Sequence, residues 1–542
     1  MEKRPHIVIF NPDEMRVDSM SHMGNRAART PNLDKFAREE AVSFSNAFCQ
    51  NPVCVPSRCS FMTGLYPHTN GHRTMSYLLH RGEDSLLKEL KDSGYYVWMN
   101  DRNDLTAGDE EGWTEAQADE IFYSESKKRA PGPVVNKPKG DINAHGFYSH
   151  YHGQLGLDEE GKNYTADDQA VDAAISRILN PVDDRPMCIF LGLFYPHVPY
   201  NVEEPYFSSI DRNLLPPRIK IEDCKNKSKM LYKLNEYSRM NEYSEEEWDE
   251  LRATYLGMVM KVDEQFKRLC DALKQAGIYD DTAIFFFSDH GDFAGDYTNV
   301  EKAQNTFEDC LVKVPFLIKP PKGYDVDPGV SSSLVELVDF YATAIDMAKV
   351  KPSHTHFGKS LVEVIASRDK EVRDFVLSEG GRERGEIQAD EFHAQGPNGP
   401  AITNDYYPKM LAEKDDEAHD KGIMIRDHKY KYVSRSSTKD EFYDLEKDPN
   451  ELVNEIDNPI YKEAILEKQL QCLKYLQKTS DVVPFKYDAR FTKRMMWAKV
   501  SGMVAEGDKE EVLDLIDKGI AFGALISHCV GLMMKRRQGA KK

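Results

Sequence analysis

Short apolar runs punctuate this chain, and each ends on polar or charged residues. Residues 7–10 (IVIF) are apolar without alternation and rich in β-branched side chains, which predicts a parallel strand buried on both faces. Runs at 95–99, 187–194, 281–287 and 314–319 predict further buried strands. Between them the period becomes helical. Leu33, Phe36 and Ala37 form one stripe behind Thr30 and Pro31, a capping residue and a first-turn proline. Residues 84–93 and 166–179 read as helices. So do 334–348 and a long stretch over 247–277, with Leu251, Tyr255, Met258, Val262, Phe266 and Leu269 at helical spacing. Strands alternating with helices predict an α/β protein, and open α/β sheets gather ligands at the C-terminal ends of their strands.

The residues with chemistry fall at those ends. Asn11-Pro12-Asp13-Glu14 follows the first run, and two adjacent carboxylates there suit a hard cation or, equally, a solvated turn. Asn100-Asp101-Arg102-Asn103-Asp104-Leu105 follows the second, Tyr195-Pro196-His197 the third and Ser288-Asp289-His290-Gly291-Asp292 the fourth. Singly, each is also an ordinary turn. The stretch from Asn51 to Pro67, NPVCVPSRCSFMTGLYP, reads as a loop entering a helix. Pro56 suits the first helical position, and Cys54 then precedes free backbone N–H groups that attract anions. Arg58 lies four residues on, on the same face. A nucleophile, an anion-binding helix end and a fork-shaped cation share one turn. A lone Cys-x-Pro would read instead as a buried structural cysteine.

The longer pattern Cys54-x-Pro56-Ser57-Arg58, followed by Met62-Thr63-Gly64, resembles the signature of type I sulfatases in the alkaline-phosphatase superfamily. TPNLDKFAREEAVSFSNAF, SDHGD and RDHKYKYV…EFYDLEKDPNE extend the likeness over about residues 5–475. It implies an α/β fold with a large mixed, mainly parallel sheet sandwiched by helices and a smaller C-terminal α+β subdomain. The expected division is a catalytic domain over 1–375, a subdomain with a small antiparallel sheet over 376–480 and a helical extension over 481–542. The likeness further implies that a formylglycine-generating maturation enzyme oxidises Cys54 to formylglycine. One divalent metal, Ca²⁺ before Mg²⁺ or Mn²⁺, would be held by Asp13, Glu14, the Cys54-derived group, Asp289 and His290. Asp292 would orient His290. Arg58, Arg102, His197 and Lys302 would contact sulfate, with His197 or Lys302 protonating the departing alcohol.

The chain departs from the family at two places. Glu14 stands where Asp or Gln is usual. Arg102 and Asp104 replace the Lys and His of a Gly-Lys-x-His-Leu pattern, which changes the reach of the cation and the proton chemistry. The expected substrate is a sulfated carbohydrate. A phosphonate monoester or phosphodiester hydrolase with the same apparatus is the alternative, and a non-catalytic glycan-binding descendant is a third reading.

Bulk properties narrow this further. A chain of 542 residues exceeds one small core, and a net charge of −20 argues against nucleic-acid partners. The nine scattered cysteines and a start, MEKRPHIVIF, without a signal-peptide pattern predict reduced thiols and a cytoplasmic location. Residues 519–534 are apolar but shorter than the roughly 20 residues of a span, so they predict no membrane crossing but a helix packed on the body or in a homo-oligomer. His145, His150 and His152 predict a loop at the pocket mouth rather than a metal site, and residues 201–246 a lid or surface excursion.

Overall fold

The buried runs assemble side by side. In chain order the strands are β1 (His6–Pro12), β2 (Val42–Phe48), β3 (Tyr96–Asn100), β4 (Glu120–Phe122), β5 (Tyr151–Leu155), β6 (Met187–Leu193), β7 (Tyr200–Glu203), β8 (Thr282–Phe287), β9 (Phe316–Lys319) and β10 (Gly329–Glu336). Eight form one sheet in the order β10-β2-β9-β8-β1-β6-β3-β4, while β5 and β7 make a separate parallel ribbon. Strand β9 runs antiparallel to β2 and β8, and the remaining pairs are parallel. This computed structural model describes residues 4–125, 141–157, 161, 163–386, 395–396, 399–483, 485 and 490–539.

The two-residue period of a strand sends alternate side chains to opposite faces. Ile7 and Ile9 of β1 join Phe285 and Phe287 of β8 in a core shared with Phe61 and Phe340. Val8 and Phe10 join Ile284 and Phe286 in a second core shared with Val262 and Phe266. Helices Cys54–Thr63 and Val338–Ala348 therefore cover one face, and the long helix Glu245–Gln275 covers the other. A capping box at Ser244 and Glu247 starts the long helix. Each such Phe or Ile contributes about 1.5–3 kcal/mol by leaving water, so the sheet edge is a rigid platform.

Several expectations shift. Residues 334–336 finish β10, and the helix begins only at Val338. Apolar residues at 334, 335, 337 and 338 satisfy either period, and pairing of Leu334, Val335 and Glu336 with Asn46, Ala47 and Phe48 decides for the strand. Thr30 does not cap its helix with its side chain but donates to Asp34. Asp263 of the long helix accepts the N–H groups of Asn32 (3.2 Å) and Leu33 (2.7 Å) instead. Residues 106–165 contain the helix Trp113–Gln117 as well as β4 and β5, and residues 126–140 lie outside the described ones. Residues 201–246 are no loose lid: they include most of β7 and the helix Lys229–Ser238, whose Met230 and Leu231 are fully buried.

The chain divides into two compact units, Met1–Val482 and Val483–Lys542. The first also holds β11 (Val376–Gly380), a two-residue ribbon of β12 (Gln395–Gly396) and β13 (Gly399–Pro400), β14 (Gly422–Arg426), β15 (Tyr430–Arg435) and β16 (Glu441–Asp444). Strands β11-β14-β15-β16 form an antiparallel sheet, and helix Lys462–Thr479 packs Ile465 and Cys472 on its Ile425, Tyr432 and Phe442. In the second unit, helices Lys493–Val500, Lys509–Asp517 and Phe522–Gly539 enclose Met496, Val500, Val512, Ile516, Leu525 and Cys529. The apolar run at 519–534 thus finds partners within its own unit. Among the described residues no helix is long and apolar enough to cross a membrane. The nine cysteines are free thiols.

Candidate active site

Cys54 is the first residue of its helix, with Val53 extended before it, and Pro56 is the third helical residue rather than the first. The missing N–H of Pro56 is still one that a helix start leaves unpaired. The sheet edge holds this helix start. Ser57 Oγ donates to the Asp289 carbonyl at 2.6 Å. Arg58 is fully buried and splits its fork, Nε to Asp289 Oδ2 and Nη2 to Asp13 Oδ2, both at 2.9 Å. Burial alone would lower its pKa, but Asp289 and Asp13 outweigh that and push it up. Arg58 therefore acts first as a clamp between two strand ends.

Asp13, Cys54, Asp289 and His290 converge, each offering a donor atom within 4.8 Å of the others, and all four are buried. Cys54 Sγ lies 3.2 Å from His290 Nε2 and 3.6 Å from Asp13 Oδ1, and His290 Nε2 lies 3.5 Å from Asp13 Oδ1. His290 Nδ1 is 2.9 Å from the Gly291 carbonyl. That contact requires a proton on Nδ1 and turns the Nε2 lone pair toward the cluster. Gly291, not Asp292, orients the ring. Asp292 Oδ1 instead accepts from Tyr200 Oη (2.7 Å) and the Ala294 N–H (2.6 Å). Burial opposes ionisation of Asp13, yet Arg102 and Arg58 hold its carboxyl well below the usual range. Burial, reinforced by Asp13, pushes the Cys54 thiol well up.

Glu14 belongs to a second group, with Asp13 and His197. Its backbone has φ +67°, the left-handed region. Oε2 lies 3.4 Å from Lys302 Nζ and 3.6 Å from His197 Nε2, while Oε1 is buried without a hydrogen-bond partner. Burial raises its pKa well above normal, against Lys302. An ionised Asp13, a lone-pair-bearing imidazole, Asp289 and an orphaned carboxyl oxygen fit a hard divalent cation.

The cations stand around this cluster. Arg102 Nη2 pairs with Asp13 Oδ2, and its guanidinium lies 4.8 Å above the Phe194 ring. Asp104, with φ +44°, places Oδ2 3.9 Å from Arg58 Nε and 4.0 Å from Arg102 Nη2. Lys302 Nζ is 2.9 Å from His197 Nε2 and 2.8 Å from Glu301 Oε1. His197 Nδ1 faces the Val198 carbonyl at 2.7 Å, so Nε2 accepts from the lysine. Burial, then Lys302, pushes His197 well down, whereas Glu14 and Glu301 overcome burial and push Lys302 well up. The pair is a protonated lysine and a neutral histidine.

Three residues here carry no sequence signal. Glu301 grips Lys302 and also Lys409 Nζ at 2.9 Å, yet Glu-Lys is a common surface dipeptide. Tyr200 links Asp292 to the Glu301 N–H at 3.0 Å. Gly192 on β6 lets the Arg102 backbone close in, since a Cβ there would sit 2.4 Å from the Arg102 carbonyl oxygen. The histidines of 145–152 do not converge: His145 meets Glu247 at 3.0 Å, His152 lies 3.5 Å from Asp405, and His150 is buried.

The sulfatase family profile matches residues 5–350, which places the chain among the hydrolases of sulfuric esters. The chain belongs to the sulfatase family. It is 25% identical over 495 residues to an arylsulfatase of Clostridium perfringens, covering 85% of this chain and 92% of that one. It is 24% identical over 554 residues to an N-acetylglucosamine-6-O-sulfatase of Bacteroides thetaiotaomicron, covering 88% and 86%. The structure of the phosphonate monoester hydrolase of Agrobacterium radiobacter superposes with a TM-score of 0.67 at 20% identity, over 88% of this chain and 96% of that one, a likeness of fold.

Proposed function

We propose that this protein hydrolyses sulfate esters of carbohydrates, using formylglycine derived from Cys54 and one divalent metal, Ca²⁺ in the first instance. The observation that carries the reading is the position of Cys54 Sγ among Asp13, Asp289 and His290 at a buried helix start. The relative named an N-acetylglucosamine-6-O-sulfatase supports a sugar substrate. Residues 1–375 would carry the chemistry and 376–480 would help to wall the site.

Asp13, Asp289 and His290, with the unpartnered Glu14 oxygen, would hold the cation, which when bound supplies positive charge that acidifies a hydroxyl. Formylglycine as its hydrate supplies that hydroxyl, together with a second one through which sulfate can be released. The chain's own side chains do the rest. Arg102 and Lys302 bring fixed positive charge to a transferring anion. Arg58 and Asp13 hold each other, so the Asp13 carboxylate stays ionised and aimed. Lys302 carries a proton against neutral His197, which places a donor for the departing alcohol oxygen.

The test is turnover of matched aryl sulfates, sulfated sugars, phosphodiesters and phosphonate monoesters, with Cys54→Ala as the blank and mass analysis of the Cys54 peptide. Sulfated sugars are expected to be hydrolysed best, by protein whose Cys54 has become formylglycine. Higher kcat/KM on phosphonates or phosphodiesters than on any sulfate ester would move the chain to the alternative chemistry.

A further inference from the structure

Lys302 carries its ammonium on a flexible stem, which stays on one spot only where fixed acceptors hold it. The ammonium stands 2.9 Å from His197 Nε2 and 2.8 Å from Glu301 Oε1. Glu301 is itself held. Its Oε2 accepts the Lys302 N–H at 2.7 Å and Lys409 Nζ at 2.9 Å, which turns Oε1 toward the Lys302 ammonium. Its backbone lies in the left-handed region, φ +61°, with its N–H on Tyr200 Oη at 3.0 Å. That conformation is uncommon for a residue with a side chain and persists where the surroundings fix it. Burial opposes ionisation of Glu301, but Lys302 and Lys409 hold its carboxyl below the usual range.

Lys409 comes from far along the chain. It stands on helix Tyr407–Glu413, whose Ala412 shares a core with Leu231 and Leu234 of helix Lys229–Ser238. Glu301, Lys302 and Lys409 are all buried, so each charge depends on the others for compensation. Without Lys409 the carboxylate would answer to one ammonium alone. Both of its oxygens would then be free to draw Lys302 away from His197.

We infer that Lys409 and Glu301 are positioning residues for Lys302: Lys409 pins one oxygen of Glu301, and the other oxygen holds the lysine ammonium beside His197. The chain beyond residue 376 thus supplies a charged group to the chemistry as well as a wall. This rests on the proton-donor reading of Lys302 above and extends it to two residues that do not touch the substrate.

The test is kinetics of matured full-length enzyme on a sugar sulfate and on nitrophenyl sulfate. Lys409→Met should lower kcat on the sugar sulfate about tenfold with little change in KM, and on nitrophenyl sulfate by less than about twofold, because nitrophenolate leaves without a proton. Glu301→Gln should show the same split with a loss of about 10²-fold. Lys409→Arg keeps a cation on Glu301 and should return kcat to within about threefold of the unsubstituted enzyme. Combining Glu301→Gln with Lys409→Met strands no charge, so this variant folds even where Lys409→Met does not, and it should show the Glu301→Gln split. In a Lys302→Met background, Lys409→Met should change kcat by less than about twofold, since a residue acting through Lys302 has nothing left to aim. Equal losses on both esters, or a Lys409→Met loss that multiplies in full with that of Lys302→Met, would overturn the inference and leave the sulfatase reading intact. Absence of turnover on every sulfate ester by the unsubstituted enzyme, with phosphonates hydrolysed, would overturn the reading on which it rests.

Discussion

Two turns at the same sheet edge are built in opposite ways. The turn after β8, with Asp289 and His290, is fully buried and knitted to Ser57 at 2.6 Å and Arg58 at 2.9 Å, and Arg58 in turn holds Asp13 at 2.9 Å. The turn after β3 leaves Arg102 24% and Asp104 36% exposed, and its ion pairs with Arg58 and Arg102 stretch to 3.9 and 4.0 Å. The closed turn matches the family pattern residue for residue, and the open one departs from it. The contrast separates two jobs. A buried, mutually paired cluster fixes whether chemistry occurs, because no member can move without stranding a charge. A half-exposed pair beside a cavity can change its residues at small energetic cost and so change what is acted on.

The contrast breaks if the closed turn tolerates substitution. Asp289→Asn removes one carboxylate charge from the candidate metal cluster and the charged Nε partner of Arg58. Activity should fall by about 10³-fold or more, with bound divalent metal lost in elemental analysis and stability lowered by about 1.5–3 kcal/mol, since Arg58 keeps Asp13 but loses a charge-assisted bond. Near-normal metal content and turnover would place the metal elsewhere.

Lys302→Met tests the proton donor at the next level of effect. Loss of a positioned general acid costs about 10²–10⁴-fold. The loss should be greatest for alkyl and sugar sulfates, whose alkoxides are poor leaving groups, and smallest for nitrophenyl sulfates, which leave without a proton. An equal loss on both would make Lys302 a binder of the transferring group alone.

Much of this site was legible in the sequence. Apolar runs located β1, β3, β6 and β8, and the polar residues after them are those that meet. Less was legible where a residue acts through its backbone or through geometry. The 334–338 boundary satisfied two periods at once, and only pairing with β2 resolved it. Asp292 sits beside His290 in the motif yet faces Tyr200, because Gly291 had already taken the imidazole N–H. The roles of Glu301 and Gly192 depend on contacts with Lys409 and the Arg102 carbonyl, far away in sequence, which no local pattern encodes.

Gly192 joins the two turns and so sharpens the comparison at a smaller scale. It lies on β6, where Asn100 of β3 accepts its N–H (2.9 Å) and donates to its carbonyl (2.7 Å). Gly192→Ala would drive a methyl into the Arg102 carbonyl at 2.4 Å and come within 3.3 Å of Arg58 Nη1. Overpacking of this kind costs about 1–3 kcal/mol. The expected result is a lower melting temperature with kcat reduced about 10–100-fold, since an ångström of displacement suffices for that. Unchanged kcat would show that the open turn relaxes without carrying Arg102 away from Asp13.

The smallest effect belongs to Arg102→Lys, which restores the residue common in the family. Lysine keeps the charge but replaces the planar fork with a single ammonium. It can still reach an anion beside Asp13, but it cannot also lie flat over Phe194 as the guanidinium does at 4.8 Å. A cation–π contact at a part-exposed position contributes about 0.5–1 kcal/mol, and the bond to Asp13 survives in altered form. We expect kcat/KM on sulfated sugars to fall by less than about tenfold, with metal content unchanged. Kinetics beside elemental analysis would check both points. A loss as large as that of Asp289→Asn, or metal leaving with the guanidinium, would erase the distinction between the closed turn and the open one. Arg102 would then belong to the cluster that permits chemistry rather than to the edge that chooses its substrate.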